Sequence, residues 1–262
     1  MLKPIPYGIS DFGKLVKGNC YYVDKSLFVK DILESSAEVI ILPRPRRFGK
    51  TLNMTMLRYF LEESQEDRSA WFKDLKIGQE PDYMAQQGKH PVIFLTLKNL
   101  KTPTWAGFLK VLKSQIGRLF RDYETWIDFD KLHRSERKYF EKITDEEGEE
   151  YDLRESLFAL SEYMFKVLGK PPIILIDEYD TPIHAGYLNG FYDEVVDFFQ
   201  GFLGMALKDN PYLKKAVITG ILRVSKESIF SDLNNPAVRT LLDRKYSEYF
   251  GLLEHEIGRA HV

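Results

Sequence analysis

Val39-Ile40-Ile41-Leu42-Pro43-Arg44-Pro45-Arg46-Arg47-Phe48-Gly49-Lys50-Thr51 is the stretch on which the fold turns. Its opening, four apolar residues halted by a Pro-Arg-Pro breaker, has the form of a strand buried on both faces. After Lys50 the apolar residues Leu52, Met56, Leu57, Phe60 and Leu61 recur at helical spacing. The junction between strand and helix matches the Walker A pattern G-x-x-x-x-G-K-[ST] at every fixed position except the first, where Arg44 stands for glycine. Gly49 lets the backbone curl so that successive N–H groups converge on an anion. Those amides open a helix, whose dipole favours negative charge. The stretch Arg46, Arg47, Phe48, Gly49, Lys50, Thr51 and Leu52 is therefore the expected cradle for a nucleotide triphosphate. Within it Lys50 would reach the β- and γ-phosphates and Thr51 would bind Mg2+ through its hydroxyl.

Arg44 needs its own account. A left-handed backbone there would cost roughly 1–2 kcal/mol. Pro45 biases Arg44 toward an extended conformation, so the loop is expected to be built differently at its entry. Arginines beside a phosphate site also add charge-assisted contacts. The alternative is a solvated basic turn that happens to precede Gly-Lys-Thr.

About 127 residues beyond Lys50, Ile173-Ile174-Leu175-Ile176 ends in Asp177-Glu178. Four apolar residues followed by two carboxylates describe a buried strand that carries acids into a cleft. Asp177 is placed to hold Mg2+, through water, because magnesium keeps much of its hydration shell. Glu178 would polarise the water that attacks the γ-phosphate. Ala216 to Thr219 reads as a further strand, and the sheet order typical of the ATPase class that these motifs resemble implies that it lies between the two motif-bearing strands. Thr219 could then sense the γ-phosphate or the water, and Arg223 could stabilise charge in phosphoryl transfer. The plainer alternatives are a loop threonine and a salt-bridged arginine. Asp180 is a candidate for fixing the loop geometry.

Outward from these motifs the pattern repeats in kind. Lys25 to Ser35 has helical spacing, Val92 to Leu97 reads as a strand, and Thr104 to Tyr123, Leu153 to Leu168 and Phe191 to Leu207 read as helices. Tyr7 to Asp24 is expected to be a short N-terminal loop segment, Arg121 to Gly148 a charged, solvated insertion, and Tyr246 to Phe250 a fifth strand. Short apolar strands alternating with amphipathic helices predict an α/β protein of P-loop NTPase type. Its mostly parallel five-stranded sheet would be flanked by helices, with ligands at the carboxyl ends of the strands.

Composition narrows the classes. The chain has 262 residues, 29% of them charged, and a net charge of −2, which argues against nucleic-acid binding by overall charge. One cysteine, Cys20, excludes an internal disulfide. His90, His133, His184 and His255 lack metal-ligand spacing, although His184 follows Glu178 closely. Trp71, Trp105 and Trp126 sit at apolar helical positions and belong to the core. No apolar run reaches the roughly 18 residues of a spanning helix, and Met1-Leu2-Lys3-Pro4 does not begin a signal peptide. A cytoplasmic location without membrane contact is expected. Residues 256–262, Glu-Ile-Gly-Arg-Ala-His-Val, resemble one reading frame of a sequencing adapter. The expected domain is therefore 1–255, truncated at its C-terminus, with 256–262 an artefact.

Four stretches resemble the AAA-ATPase-like family of bacterial P-loop proteins, relatives of the AAA and STAND ATPases. They are Tyr22-Val23-Asp24-Lys25-Ser26, Arg44 through Thr51, Ile176-Asp177-Glu178-Tyr179-Asp180, and Gly220 through Ser231. The Arg-Pro-Arg-Arg-Phe-Gly-Lys-Thr loop is similar to the family's own variant. The resemblance implies an ATPase module using ATP and Mg2+, followed in relatives by a helical lid and often by a region resembling a PD-(D/E)xK nuclease. Nucleic acid would be reached only through that region. The leading expectation is an ATP-driven switch. The alternatives are a nucleotide-binding module with negligible hydrolysis and a P-loop phosphotransferase, against which a water-activating Glu178 speaks.

Overall fold

In the computed structural model, residues 3–221, 229–230, 233–234 and 236–257 are described. Five strands form one parallel sheet: β1 (Val39–Pro43), β2 (Val92–Thr96), β3 (Ile173–Asp177), β4 (Lys215–Gly220) and β5 (Ala237–Val238). Their order is β2-β3-β4-β1-β5, so β4 lies between the two strands that lead to the 44–51 loop and to Asp177. The helices, in chain order, are α1 (Phe12–Lys17), α2 (Phe28–Glu34), α3 (Lys50–Leu61), α4 (Pro81–Met84), α5 (Trp105–Tyr123), α6 (Arg134–Thr144), α7 (Glu150–Leu168), α8 (Thr181–Asn189), α9 (Tyr192–Leu207) and α10 (Glu254–Ile257).

Successive side chains of a strand point to opposite faces, and here both faces are covered. Val39 and Ile41 of β1 join Ile174, Ile176, Ala216 and Ile218 in a core under α5, α6, α7 and α9. Ile40 and Leu42 join Ile173, Leu175 and Val217 in a second core with α2 and α3. Burial on both sides explains why these strands are continuous apolar runs rather than alternating ones.

Three expectations are corrected. The fifth strand is Ala237–Val238, paired with Ile40 and Ile41, not Tyr246 to Phe250. Tyr246 takes a left-handed backbone (φ 67°) and leads into a single 3-10 turn, Ser247–Tyr249. The rings of Tyr246, Tyr249 and Phe250 pack around Phe28 at centroid distances of 6.1, 5.6 and 5.6 Å. Aromatic burial, not strand pairing, uses that run. The charged stretch after Arg121 contains α6, which sends Phe140 and Ile143 into the core while its many charges face outward. Inside the expected N-terminal loop lies α1, whose N-cap Asp11 accepts from Lys14 N at 2.8 Å.

Candidate functional site

The strand register brings the two motifs together. Asp177 at the end of β3 lies level with Thr219 of β4, and Thr219 lies level with Leu42 of β1. Thr219 Oγ1 donates to Asp177 Oδ1 at 2.6 Å. Thr51 Oγ1, in the first turn of α3, donates to Asp177 Oδ2 at 2.7 Å. Each carboxylate oxygen thus accepts from one threonine hydroxyl, and the carboxylate is fully buried. Burial raises the Asp177 pKa above its ordinary value. The two threonine hydroxyls and the Lys50 charge oppose that rise, while Glu178 adds to it.

Lys50 is itself buried, and its Nζ donates to the carbonyls of Arg44 and Pro45, each at 3.0 Å. Burial lowers its pKa, against the pull of Asp177, Glu178 and Asp180. The ammonium is folded back on its own loop, on neutral acceptors weaker than phosphate oxygens.

The loop's left-handed residues are Arg47 (φ 66°) and Gly49 (φ 77°). A Cβ on Gly49 would meet open space, so glycine serves there for its backbone freedom, not for room. Arg44 is not left-handed. Its side chain is buried, lies 4.7 Å from the Phe250 ring centroid, and donates from Nη1 to Pro43 O at 2.8 Å and Arg239 O at 2.6 Å. Nε and Nη2 are buried without partners, and burial pulls the group's pKa down to about 10. Arg44 therefore packs inward, tying the loop entry to the residue after β5. Arg46 and Arg47 are exposed, and Phe48 and Leu52 are half-buried.

Glu178 also has a left-handed backbone (φ 57°), and its Oε2 accepts from Thr181 Oγ1 at 3.2 Å. Asp180 Oδ2 accepts from Ile221 N at 3.0 Å, joining the β3 end to the β4 end. Arg223 lies outside the described residues. Sequence patterns did not mark three contributors. Thr181 holds the Glu178 carboxylate. Gly220 faces Tyr179 and Asp180 so closely that a Cβ would sit 2.6 Å from each. Asn53 donates to Tyr249 O at 2.7 Å while Gly251 N donates to Phe48 O at 3.1 Å, fastening the C-terminal segment to the loop. Gly220, directly after a strand-ending threonine, carried the one local signal.

Two cavities flank the 44–51 loop. One, of about 280 Å³, shares Arg47, Phe48 and Gly49 with the loop and is walled by Tyr22, Leu52 and Tyr249. The other, of about 600 Å³, meets the loop at Arg46 and is lined by Lys101, Asp180, His184, Leu188 and Ile221. Among the described residues no group of three or more His, Cys, Asp or Glu side chains could hold a metal alone. Nor is any helix there long and apolar enough to cross a membrane.

The model of the AAA-ATPase-like family, described as "Predicted AAA-ATPase", matches residues 6–230. The chain belongs to that family. Membership supports nucleotide binding in general terms, and the matched span contains the 44–51 loop, Asp177 and Thr219. A relative of this family member is an "Uncharacterized protein in vnfD 5'region" from Azotobacter chroococcum mcd 1, 25% identical over 260 residues. The match covers 97% of this chain and 44% of the relative, so the chain spans less than half the relative's length. No solved structure matches it.

Proposed function

We propose that the protein is a P-loop ATPase that binds ATP with Mg2+ and hydrolyses it. The observation that carries this is the Thr51–Asp177–Thr219 hydrogen-bond chain, which puts a buried carboxylate beside the first hydroxyl of the helix after Gly49-Lys50. In this reading the loop amides from Arg46 to Leu52 receive the triphosphate, and Lys50 exchanges its two carbonyl partners for β- and γ-phosphate oxygens. The 280 Å³ cavity, continuous with the loop and edged by Tyr22, Phe48 and Tyr249, takes the base.

The donors suit magnesium: the hard oxygens of Thr51 Oγ1, as a direct ligand, and of Asp177, through water, lie side by side, and the remaining positions would fall to water and phosphate. When bound, that ion would neutralise charge on the β- and γ-phosphate oxygens. Glu178 acts as the proton acceptor for the attacking water once Thr181 releases its carboxylate. Thr219 orients Asp177, and its hydrogen bond opposes the rise that burial imposes on the carboxyl pKa. Arg223 remains a proposed charge stabiliser. The C-terminal segment, fastened to Phe48 and Asn53, is the route by which occupancy would be passed on, as a switch.

One observation favours the second reading, nucleotide binding with negligible hydrolysis: Glu178 is turned onto Thr181. Phosphate release from ATP separates the two. If Glu178 is the base, Glu178→Gln binds ATP like the parent and releases phosphate about 10²–10⁴-fold more slowly. Equal rates would favour a binding module. A Lys50→Ala variant with unchanged ATP affinity would remove both readings.

A further inference from the structure

The 600 Å³ cavity meets the proposed nucleotide path only at Arg46, whose backbone amide, not its side chain, is assigned to the triphosphate. Gly49, Lys50, Thr51 and Asp177 do not line it, and it shares no lining residue with the base cavity. Its volume falls in the range of small-molecule sites, about 300–1,000 Å³. Arg46 and Lys101 are exposed at its rim, and neither side chain makes a hydrogen bond or ion pair among the described residues. His184 adds a third nitrogen-bearing side chain. The carboxylate in the lining, Asp180, is 3% exposed and accepts from Ile221 N. The apolar part of the wall includes Ala185 and Leu188, and Leu188 is 66% exposed, a large apolar side chain left uncovered at the edge.

We infer that this cavity binds a small molecule carrying a phosphate or carboxylate group on an apolar body. The anion lies between Arg46 and Lys101, where charge-assisted hydrogen bonds are strong. The body covers Leu188 and Ala185, whose removal from water supplies affinity in proportion to the area buried. The inference goes beyond nucleotide binding and holds whether or not ATP is hydrolysed.

Phenyl phosphate, with inorganic phosphate as the body-free comparison, tests it by isothermal titration of the whole chain. Phenyl phosphate is expected to bind at least tenfold tighter than inorganic phosphate. Lys101→Glu should weaken both by tenfold or more. Leu188→Ser should erase the preference for the phenyl group and leave inorganic phosphate unchanged. Both positions are exposed, so the variants should fold, and their melting temperatures check that. Saturating ADP with Mg2+, or the Lys50→Ala variant, should leave phenyl phosphate binding intact. Equal affinities for the two phosphates, or no saturable binding, would overturn the inference. So would binding lost with ADP or with Lys50→Ala, because the ligand would then occupy the 44–51 loop. Failure of ATP binding alone would leave this site standing.

Discussion

Replacing Thr219 by valine removes one hydroxyl from the centre of the site and little else. The two side chains have nearly the same shape, and Thr219 is fully buried, so no cavity opens. What is lost is the 2.6 Å hydrogen bond to Asp177 Oδ1. A hydrogen bond to a charged group contributes about 1.5–3 kcal/mol. For a chain of this size that corresponds to a fall in melting temperature of roughly 3–10 °C. The loss should depend on pH in a defined direction. Asp177 already titrates above its ordinary 3.8 in the folded state, and the Thr219 hydroxyl restrains that rise. Without it the folded pKa climbs further. A carboxylic acid with a raised folded pKa favours folding least where it is ionised, and the deficit disappears below the unfolded pKa. The variant should therefore be most destabilised near pH 7 and approach the parent as pH falls toward 4. Urea unfolding of the ligand-free protein across that range measures it, with Thr219→Ser as the hydroxyl-bearing control. A valine variant as stable as the parent at pH 7, or a deficit that does not change with pH, would refute the assignment of an ionised, hydroxyl-held Asp177.

Other outcomes follow from the same geometry. Asp177→Asn should be neutral or stabilising at pH 7 without ligand, because the amide removes a buried charge and can still partner both threonines. The same change should weaken Mg-dependent ATP binding, and a titration with and without Mg2+ checks both halves. His90 is buried, its Nδ1 is 3.1 Å from Lys214 Nζ, and burial with the charges of Lys214 and Lys170 pushes its pKa down to about 4. Its neutral form is native, so stability should be full above pH 6.5 and fall by roughly 3 kcal/mol as pH drops toward 4. His90→Gln should flatten that limb in a pH series of denaturant midpoints. Arg44→Ala should speed amide exchange at Arg239, whose carbonyl the guanidinium holds and whose N–H donates to Ile41 O at 2.9 Å, more than at β3.

The parts of this fold that the sequence displayed are those that local pattern determines. β1, β2, β3 and β4 are apolar runs because both faces are covered, and each was placed within a residue or two of its observed bounds. Gly49-Lys50-Thr51 and Asp177-Glu178 were visible as motifs, and the strand carrying Thr219 was expected between them, as its register with Asp177 now shows. Two-residue β5 was not visible, since Ala237–Val238 is too short for any period to emerge. Tyr246 to Phe250 misled because aromatic residues serve strands and core corners alike. In α6 the charges hid a buried pair, Phe140 and Ile143, three residues apart. For Arg44 the sequence offers an extended backbone, a phosphate contact or a solvated turn, whereas the side chain is buried against Phe250, some two hundred residues away, where no local window reaches. Thr181 looked like any helix-opening threonine until Glu178 was seen turned toward it.

The site holds several unfavourable arrangements close together. Asp177 is buried beside a second carboxylate, Lys50 is buried with only carbonyls for partners, and Glu178 is left-handed, which costs a non-glycine residue roughly 1–2 kcal/mol. None of these helps the chain fold. They persist because the sheet that positions them is packed on both faces, with Ile41, Ile174 and Ile218 on one side and Ile40, Leu175 and Val217 on the other. A bound polyanion with its cation would reverse the first two terms directly, giving Lys50 charged acceptors and Asp177 a countercharge. The same residues that weaken the fold would then tighten around the ligand, and ligand binding should raise stability most in the parent and less in Asp177→Asn, where that latent term has been removed.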